Sequence, residues 1–159
     1  MTYNIDRRIE DTKAKQVKHI LGEHLITKIE NADLEEAQDF GIYSVKPFNI
    51  GVRLRRFKYF SDYHNEFTIR WSRPSGVKTE IDKIREGLVQ YIFYGFLDER
   101  EQNLIQYFIG DLAFFLNVQP YRILPNNPHD SDLAVYKFSQ FPRRFFVVFW
   151  RNPKYAVFL

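Results

Sequence analysis

The segment GVRLRRFKYF, residues 51–60, places basic and aromatic residues side by side. Guanidinium groups donate hydrogen bonds in a planar fork that matches phosphate oxygens, and aromatic rings stack on unpaired bases. The pattern therefore predicts a surface that binds nucleic acid through phosphates. A solvated strand whose cations pair with carboxylates of Glu66 or the acidic run 30–39 is the alternative. The candidate phosphate ligands in the segment are Arg53, Arg55, Arg56 and Lys58.

Further cations extend this predicted interface along the chain. Arg70 lies on the polar face of an alternating strand over 66–73, and Arg73 and Lys78 surround the turn that follows. A one-residue bulge at Arg55–Arg56 would direct all four cations of 51–60 to one face. Tyr59, Phe60 and Tyr63 are the residues expected to stack on unpaired bases.

A second basic group, FPRRFFVVFWRNPKY, surrounds an apolar strand from Phe145 to Trp150. Basic residues at both ends of an apolar strand are typical of protection against aggregation. An exposed aromatic strand would equally serve as the edge of a homodimer. The cations of this group are Arg143, Arg144, Arg151 and Lys154.

Motifs of well-known catalytic chemistry are absent from the sequence. There is no glycine-rich phosphate loop, no G-x-S-x-G and no H-E-x-x-H. His129 lies beside Asp130 and Asp132 in PHDSD, which suits a metal site less well than a solvated turn. The absence of cysteine excludes disulfides and thiolate metal ligands.

Composition predicts one domain over residues 1–159, in a soluble cytoplasmic protein without a membrane partner. The net charge is only +3, but an acidic run at 30–39 and the basic run at 53–58 divide the charge unevenly. No apolar run approaches the roughly 20 residues of a membrane span. Charges occupy the N-terminal stretch where a signal peptide would be apolar.

Periodicity predicts a mixed α+β fold, with helices packed on a mixed β-sheet. Helices are expected over 5–22, from Thr79 to about Leu88 behind a Thr79–Asp82 capping box, and from Asp98 to Leu116. A loop is expected over 119–132. Strands are expected at 40–46, 50–60, 66–73, 89–96, 133–139, 145–150 and 155–159, with 89–96 in the centre of the sheet.

The predicted elements follow one another as a helix, a strand that opens with Asp39, two further strands and a helix. This order resembles the core of the restriction-endonuclease-like, or PD-(D/E)XK, superfamily, including phage-encoded members. The resemblance covers roughly residues 5–116 and implies a nuclease core binding Mg²⁺ or Mn²⁺. It implies that Asp39 is a metal ligand and catalytic residue and that Glu10 is a helical catalytic acid. The family's acidic-x-Lys motif is replaced by Arg53-Leu54-Arg55. Glu66, as a catalytic residue, or Glu80, as a metal ligand, would have to supply the missing carboxylate.

Three functions follow from these observations. The first is binding of DNA or RNA on a nuclease-like scaffold that is inactive or weakly active. The second is a metal-dependent phosphodiester nuclease with a rearranged acidic site. The third is a phage-type module that binds or inhibits a protein partner. The first two predict affinity that falls steeply with salt, by about 10³-fold for several phosphate contacts.

Overall fold

The computed structural model of the chain describes residues 2–26, 49–125 and 131–158. The chain divides into two compact units, residues 1–48 and 49–159. In the first unit, α1 spans Thr2–Leu21 and a π-helical turn follows at Gly22–Ile26. This confirms the predicted helix 5–22. The predicted strand 40–46 and the acidic run 30–39 lie outside the described residues, and the prediction of one domain stays a prediction.

The described residues of the second unit form two sheets and two short α-helices. The four-stranded sheet has the order β1-β3-β4-β7, in which β1 runs parallel to β3 and the other neighbours are antiparallel. The three-stranded sheet is antiparallel, in the order β2-β6-β5. The strands are β1 Ile50–Arg55, β2 Glu66–Ser72, β3 Tyr91–Leu97, β4 Leu104–Asp111, β5 Arg122–Leu124, β6 Asp132–Lys137 and β7 Phe146–Arg151.

Short helices connect these strands. After β1 the chain forms a 3₁₀ turn at Phe57–Tyr59 and then α2, Phe60–Tyr63. The helix α3, Glu80–Arg85, follows β2. Further 3₁₀ turns are Leu112–Phe114, Phe138–Gln140, Arg143–Phe145 and Pro153–Phe158. Of the helices in the described ranges, none has the length and apolar character that a membrane span requires.

Aromatic side chains join the two sheets in one core. The Phe67 ring of β2 lies 5.9 Å from Tyr94 of β3 and 5.3 Å from Phe108 of β4, measured between ring centroids. It also stacks on Tyr136 of β6 at 5.4 Å. Such pairs contribute beyond the apolar area that they bury. The fold is therefore mixed α+β, as predicted, while the resemblance to a restriction-endonuclease core remains a prediction.

The predicted helix from Asp98 to Leu116 is wrong, because most of this segment forms β4. The carboxylate of Asp98 accepts hydrogen bonds from the Gln102 amide and the Asn103 side chain, which closes a turn between β3 and β4. Glu101 adopts a φ of 56° in that turn. Six of the eight residues of β4 are buried, so the strand lacks the alternation that distinguishes a half-exposed strand from a helix.

Other boundaries also differ from the predictions. The predicted strand 50–60 ends at Arg55, and a 3₁₀ turn replaces the expected bulge. Residues 153–158 form a 3₁₀ helix rather than a strand, and the predicted loop 119–132 contains β5. The strands predicted at 66–73, 89–96, 133–139 and 145–150 are confirmed as β2, β3, β6 and β7, and the helix at Thr79 begins as predicted but ends at Arg85.

Candidate nucleic-acid interface

The first predicted phosphate ligand, Arg53, lies inside the protein. In the parallel register of β1 with β3, Arg53 is opposite Tyr94 and Arg55 is opposite Phe96, so both arginines face the core side of the sheet. The Arg53 side chain is only 9% exposed, and its Nη2 lies 2.6 Å from Oε2 of Glu80. Arg53 therefore supports the fold and does not present its guanidinium at the surface.

The carboxylate of Glu80 ties three elements together. Its Oε2 accepts from Arg53 of β1 and, at 2.8 Å, from the backbone amide of Arg70 in β2, while Glu80 itself is the first residue of α3. On the other side, Arg53 Nη1 lies 3.5 Å from the Thr68 hydroxyl, which is 3.3 Å from the Tyr94 hydroxyl. These contacts fix β1, β2 and β3 relative to one another.

The start of α3 is fixed by Asp82. Its carboxylate accepts hydrogen bonds from the backbone amide of Thr79 at 2.8 Å and from the Thr79 hydroxyl at 2.9 Å. The backbone bond, and then the hydroxyl bond, lower the pKa of Asp82 below its ordinary value of 3.8. This half of a capping box holds Glu80 where it meets Arg53.

A cleft of about 330 Å³ opens between the two sheets. This volume is at the low end of the range of about 300–1,000 Å³ that is typical of small-ligand sites. Tyr94 and Phe96 of β3, both buried, form its floor. The polar residues that line it are Arg55, Tyr59, Tyr63, Glu66, Thr68 and Arg122.

One wall of the cleft carries Arg55, whose guanidinium lies against the ring of Tyr59, and Lys58 contacts the same ring from beside the cleft. The guanidinium carbon of Arg55 lies 4.4 Å from the centroid of the Tyr59 ring, and Nζ of Lys58 lies 4.8 Å from the same centroid. Lys58 is exposed. Tyr63, which follows on α2, exposes 42% of its surface beside them. The arrangement places one positive charge, Arg55, and an accessible aromatic ring, Tyr63, at the cleft, with a second positive charge, Lys58, beside it.

The opposite wall carries an ion pair between Glu66 and Arg122, which places a hydrogen-bond acceptor beside a donor. Arg122 of β5 donates from Nη2 to Oε2 of Glu66 in β2 at 2.9 Å. The Arg122 guanidinium carbon lies 5.6 Å from the Tyr63 ring centroid, so this wall meets the first one. Nε of Arg122 is buried and has no hydrogen-bond partner among the described residues. The wall thus presents both an acceptor and a donor group to the cleft.

The remaining predicted cations do not join the cleft. Arg56 Nε lies 3.4 Å from the Glu101 carboxylate, Arg73 Nε donates to the Ser131 hydroxyl, and Lys78 is ion-paired with Glu86 at 2.7 Å. The side chain of Arg70 is half-buried. None of these four described residues lines the cleft. Of the predicted phosphate ligands, only Arg55 lines the cleft, and Lys58 lies beside it, against the same Tyr59 ring.

Of the three aromatic residues predicted to stack on bases, two line the cleft and one is buried in the core. Tyr59 and Tyr63 line the cleft, whereas Phe60 is fully buried in the core and is not available for a base. Sequence reasoning missed Arg122, which falls in the predicted loop 119–132. The alternation of YRIL after Pro120 was the one feature that could have indicated β5.

The carboxylates expected to hold Mg²⁺ or Mn²⁺ do not form a metal site in the described part of the chain. Glu66 and Glu80 are each bound by an arginine, and Glu10 lies on α1 in the first unit. No group of three or more His, Asp or Glu side chains suited to a metal occurs among residues 2–26, 49–125 and 131–158. Asp39 and His129 lie outside those ranges. The metal stays a prediction.

Comparison with protein-family models, with curated proteins and with solved structures finds no match to this chain.

Proposed function

We propose that the protein binds DNA or RNA without cutting it, by receiving an unpaired base in the cleft between the two sheets. The cleft itself supports this proposal, because Arg55 and the accessible ring of Tyr63 line it above the buried floor of Tyr94 and Phe96. Lys58 lies beside the cleft, against the same Tyr59 ring as Arg55. Cations beside stacking aromatics form the usual surface for single-stranded nucleic acid. The base stacks on Tyr63, and its phosphate lies against Arg55 and Lys58.

The shape of the site favours single strands over duplexes. A base enters a cleft of about 330 Å³ only after it has left its stack. In a duplex this unstacking and unpairing costs a few kcal/mol, and in a single strand it costs little. The proposal therefore requires tighter binding of single-stranded oligonucleotides.

The two phosphate contacts proposed, to Arg55 and to Lys58, set the salt dependence. Two phosphate contacts to a single strand give a slope of about −1.4 in log affinity against log salt, so affinity falls about 7-fold between about 50 and 200 mM salt. This is far below the roughly 10³-fold expected from a track of many cations. Most of the predicted track lies instead in ion pairs and hydrogen bonds within the protein.

Fluorescence anisotropy with labelled oligonucleotides tests the proposal. Arg55→Gln should weaken binding of single strands by roughly 10-fold and make the salt slope shallower, because it removes one charge-assisted contact. Arg100→Gln, in the turn between β3 and β4, changes the net charge equally and should leave affinity close to wild type. Equal affinities of the two variants would contradict the proposal.

The same titrations test the nuclease alternative when Mg²⁺ or Mn²⁺ is added. Cleavage of the labelled strand that disappears in Asp39→Ala would show that the protein is a nuclease. The proposal expects the oligonucleotide to be recovered intact.

Protein binding is a second candidate function, because β7 is an edge strand with exposed aromatic residues. β7 lies at the edge of the four-stranded sheet, and its residues Phe149 and Trp150 are exposed. Such edges pair with other strands, including those of a second copy. Analytical ultracentrifugation of wild type and Trp150→Lys tests this: self-association lost in the variant would support a homodimer edge, and a monomer at all concentrations would contradict it.

A further inference from the structure

We propose that the cleft selects guanine among the unpaired bases, through Glu66 and Arg122. This inference rests on the proposed function and names the base that the same cleft takes. Its starting point is the ion pair on the wall formed by β2 and β5, where the Glu66 carboxylate and the Arg122 guanidinium lie 2.9 Å apart. Both residues line the cleft, and neither is used by the phosphate contacts proposed above.

Each member of the pair retains hydrogen-bonding capacity after the pair has formed. Glu66 is 15% exposed, and the only bond to its carboxylate is the one that Arg122 donates to Oε2, which leaves Oε1 without a partner among the described residues. Arg122 uses Nη2 for Glu66, and no hydrogen bond from its Nη1 to a described residue is present, while its side chain is 39% exposed. A polar group that has given up water without gaining a partner carries a desolvation cost that a ligand group can relieve.

The pattern on this wall is an acceptor group directly beside a donor group. Guanine presents the complement along its Watson–Crick edge: the N2 and N1 hydrogens are donors, and O6 beside them is an acceptor. A carboxylate can therefore take the two donors while the adjacent guanidinium donates to O6. Adenine, cytosine, uracil and thymine lack two adjacent donors, so each would leave a carboxylate lone pair facing an acceptor or an apolar edge.

The surroundings strengthen this discrimination. Tyr94 and Phe96 form a buried floor below the pair, and next to such a low-dielectric surface an unmade hydrogen bond costs more than it does in bulk water. A bidentate contact to the right base discriminates by a factor of about 5 to about 150. We expect a preference for guanine within this range.

The experiment compares short oligothymidylates that carry one central guanine, adenine, cytosine or inosine. Wild-type protein should bind the guanine strand best, and inosine, which lacks only the N2 amino group, should lose a large part of the preference without any change to the protein. Glu66→Gln keeps the size of the side chain and should abolish the preference while still binding oligothymidylate. Glu86→Gln breaks the exposed pair with Lys78 outside the cleft and should bind like wild type.

The outcomes separate this inference from the proposed function. Binding of all strands with equal affinity, or a guanine preference that survives in Glu66→Gln, overturns the guanine assignment and leaves nucleic-acid binding intact. No binding of any strand overturns both. If Glu66→Gln does not fold, the inosine strand still decides. Guanosine monophosphate is titrated in parallel: tighter binding of the mononucleotide than of the guanine strand would identify a free nucleotide as the source of the base.

Discussion

The ion pair between Arg53 and Glu80 should respond very differently to removal of its two members. Arg53→Met replaces a buried guanidinium by an apolar side chain of similar length, and leaves a Glu80 carboxylate that is 33% exposed and still accepts from the Arg70 amide. Glu80→Ala instead leaves a guanidinium that is 9% exposed without its carboxylate, and removes the acceptor of that amide.

The structure sets the magnitudes. Removal of one partner from a buried ion pair costs about 3–5 kcal/mol, so Glu80→Ala should lower the free energy of unfolding by about 4 kcal/mol. A carboxylate that water reaches costs far less, so Arg53→Met should lower it by about 1 kcal/mol. The difference of about 3 kcal/mol corresponds to roughly 1.5 M in the urea midpoint at a slope of about 2 kcal/mol/M.

Urea unfolding followed by circular dichroism measures this difference, and oligonucleotide binding by the folded Arg53→Met variant adds a second readout. Equal destabilisation by the two substitutions would contradict the expected difference between a buried guanidinium and a carboxylate that water reaches. Loss of binding in a stable Arg53→Met protein would show that Arg53 contacts phosphate after all.

Three further predictions concern packing and ionisation. Gly110→Ala should destabilise the protein by about 1–3 kcal/mol in thermal unfolding, because a Cβ at Gly110 would lie 2.5 Å from the buried Phe145 ring. Gly51→Ala should be tolerated, because a Cβ at Gly51 would lie 3.7 Å from the Val89 side chain, an ordinary contact distance. The pKa of Asp82 is lowered in the folded state, so its carboxylate contributes stability that is complete above the ordinary value of 3.8 and is lost as pH falls through the lower folded pKa. The difference in stability between wild type and Asp82→Asn should therefore decrease in acid. A difference that stays constant down to about pH 2 would contradict this. Burial raises the pKa of Tyr136 to about 12, so the stability that its neutral phenol contributes is complete below pH 10 and is lost as pH rises to about 12. In an ultraviolet titration of tyrosine ionisation, Tyr136→Phe should therefore remove the component that titrates near pH 12.

Local sequence patterns were reliable where one face of an element is polar or a cap is present. The alternation of Glu66 to Ser72 predicted β2, and Thr79 with Asp82 predicted the start of α3. The same reasoning failed at β4, because burial of both faces removes the period that identifies a strand.

The candidate site was predicted only in part, because its two walls come from segments far apart in sequence. The basic segment 51–60 supplied Arg55, Lys58 and Tyr59, but alternation alone did not show which face of β1 is solvated, so the buried Arg53 was assigned to the interface. Arg122 meets Glu66 only through the pairing of β5 and β2 with β6, which no local pattern encodes.

Photo-crosslinking of a single-stranded oligonucleotide that contains 4-thiothymidine, followed by mass spectrometry of the peptides, shows where on the protein nucleic acid binds. Binding in the cleft predicts crosslinks to Tyr59, Tyr63 or the peptide that carries Arg122, with the yield reduced in Arg55→Gln. Crosslinks confined to the second basic group, from Arg143 to Lys154, would place the nucleic acid on another surface and contradict the account.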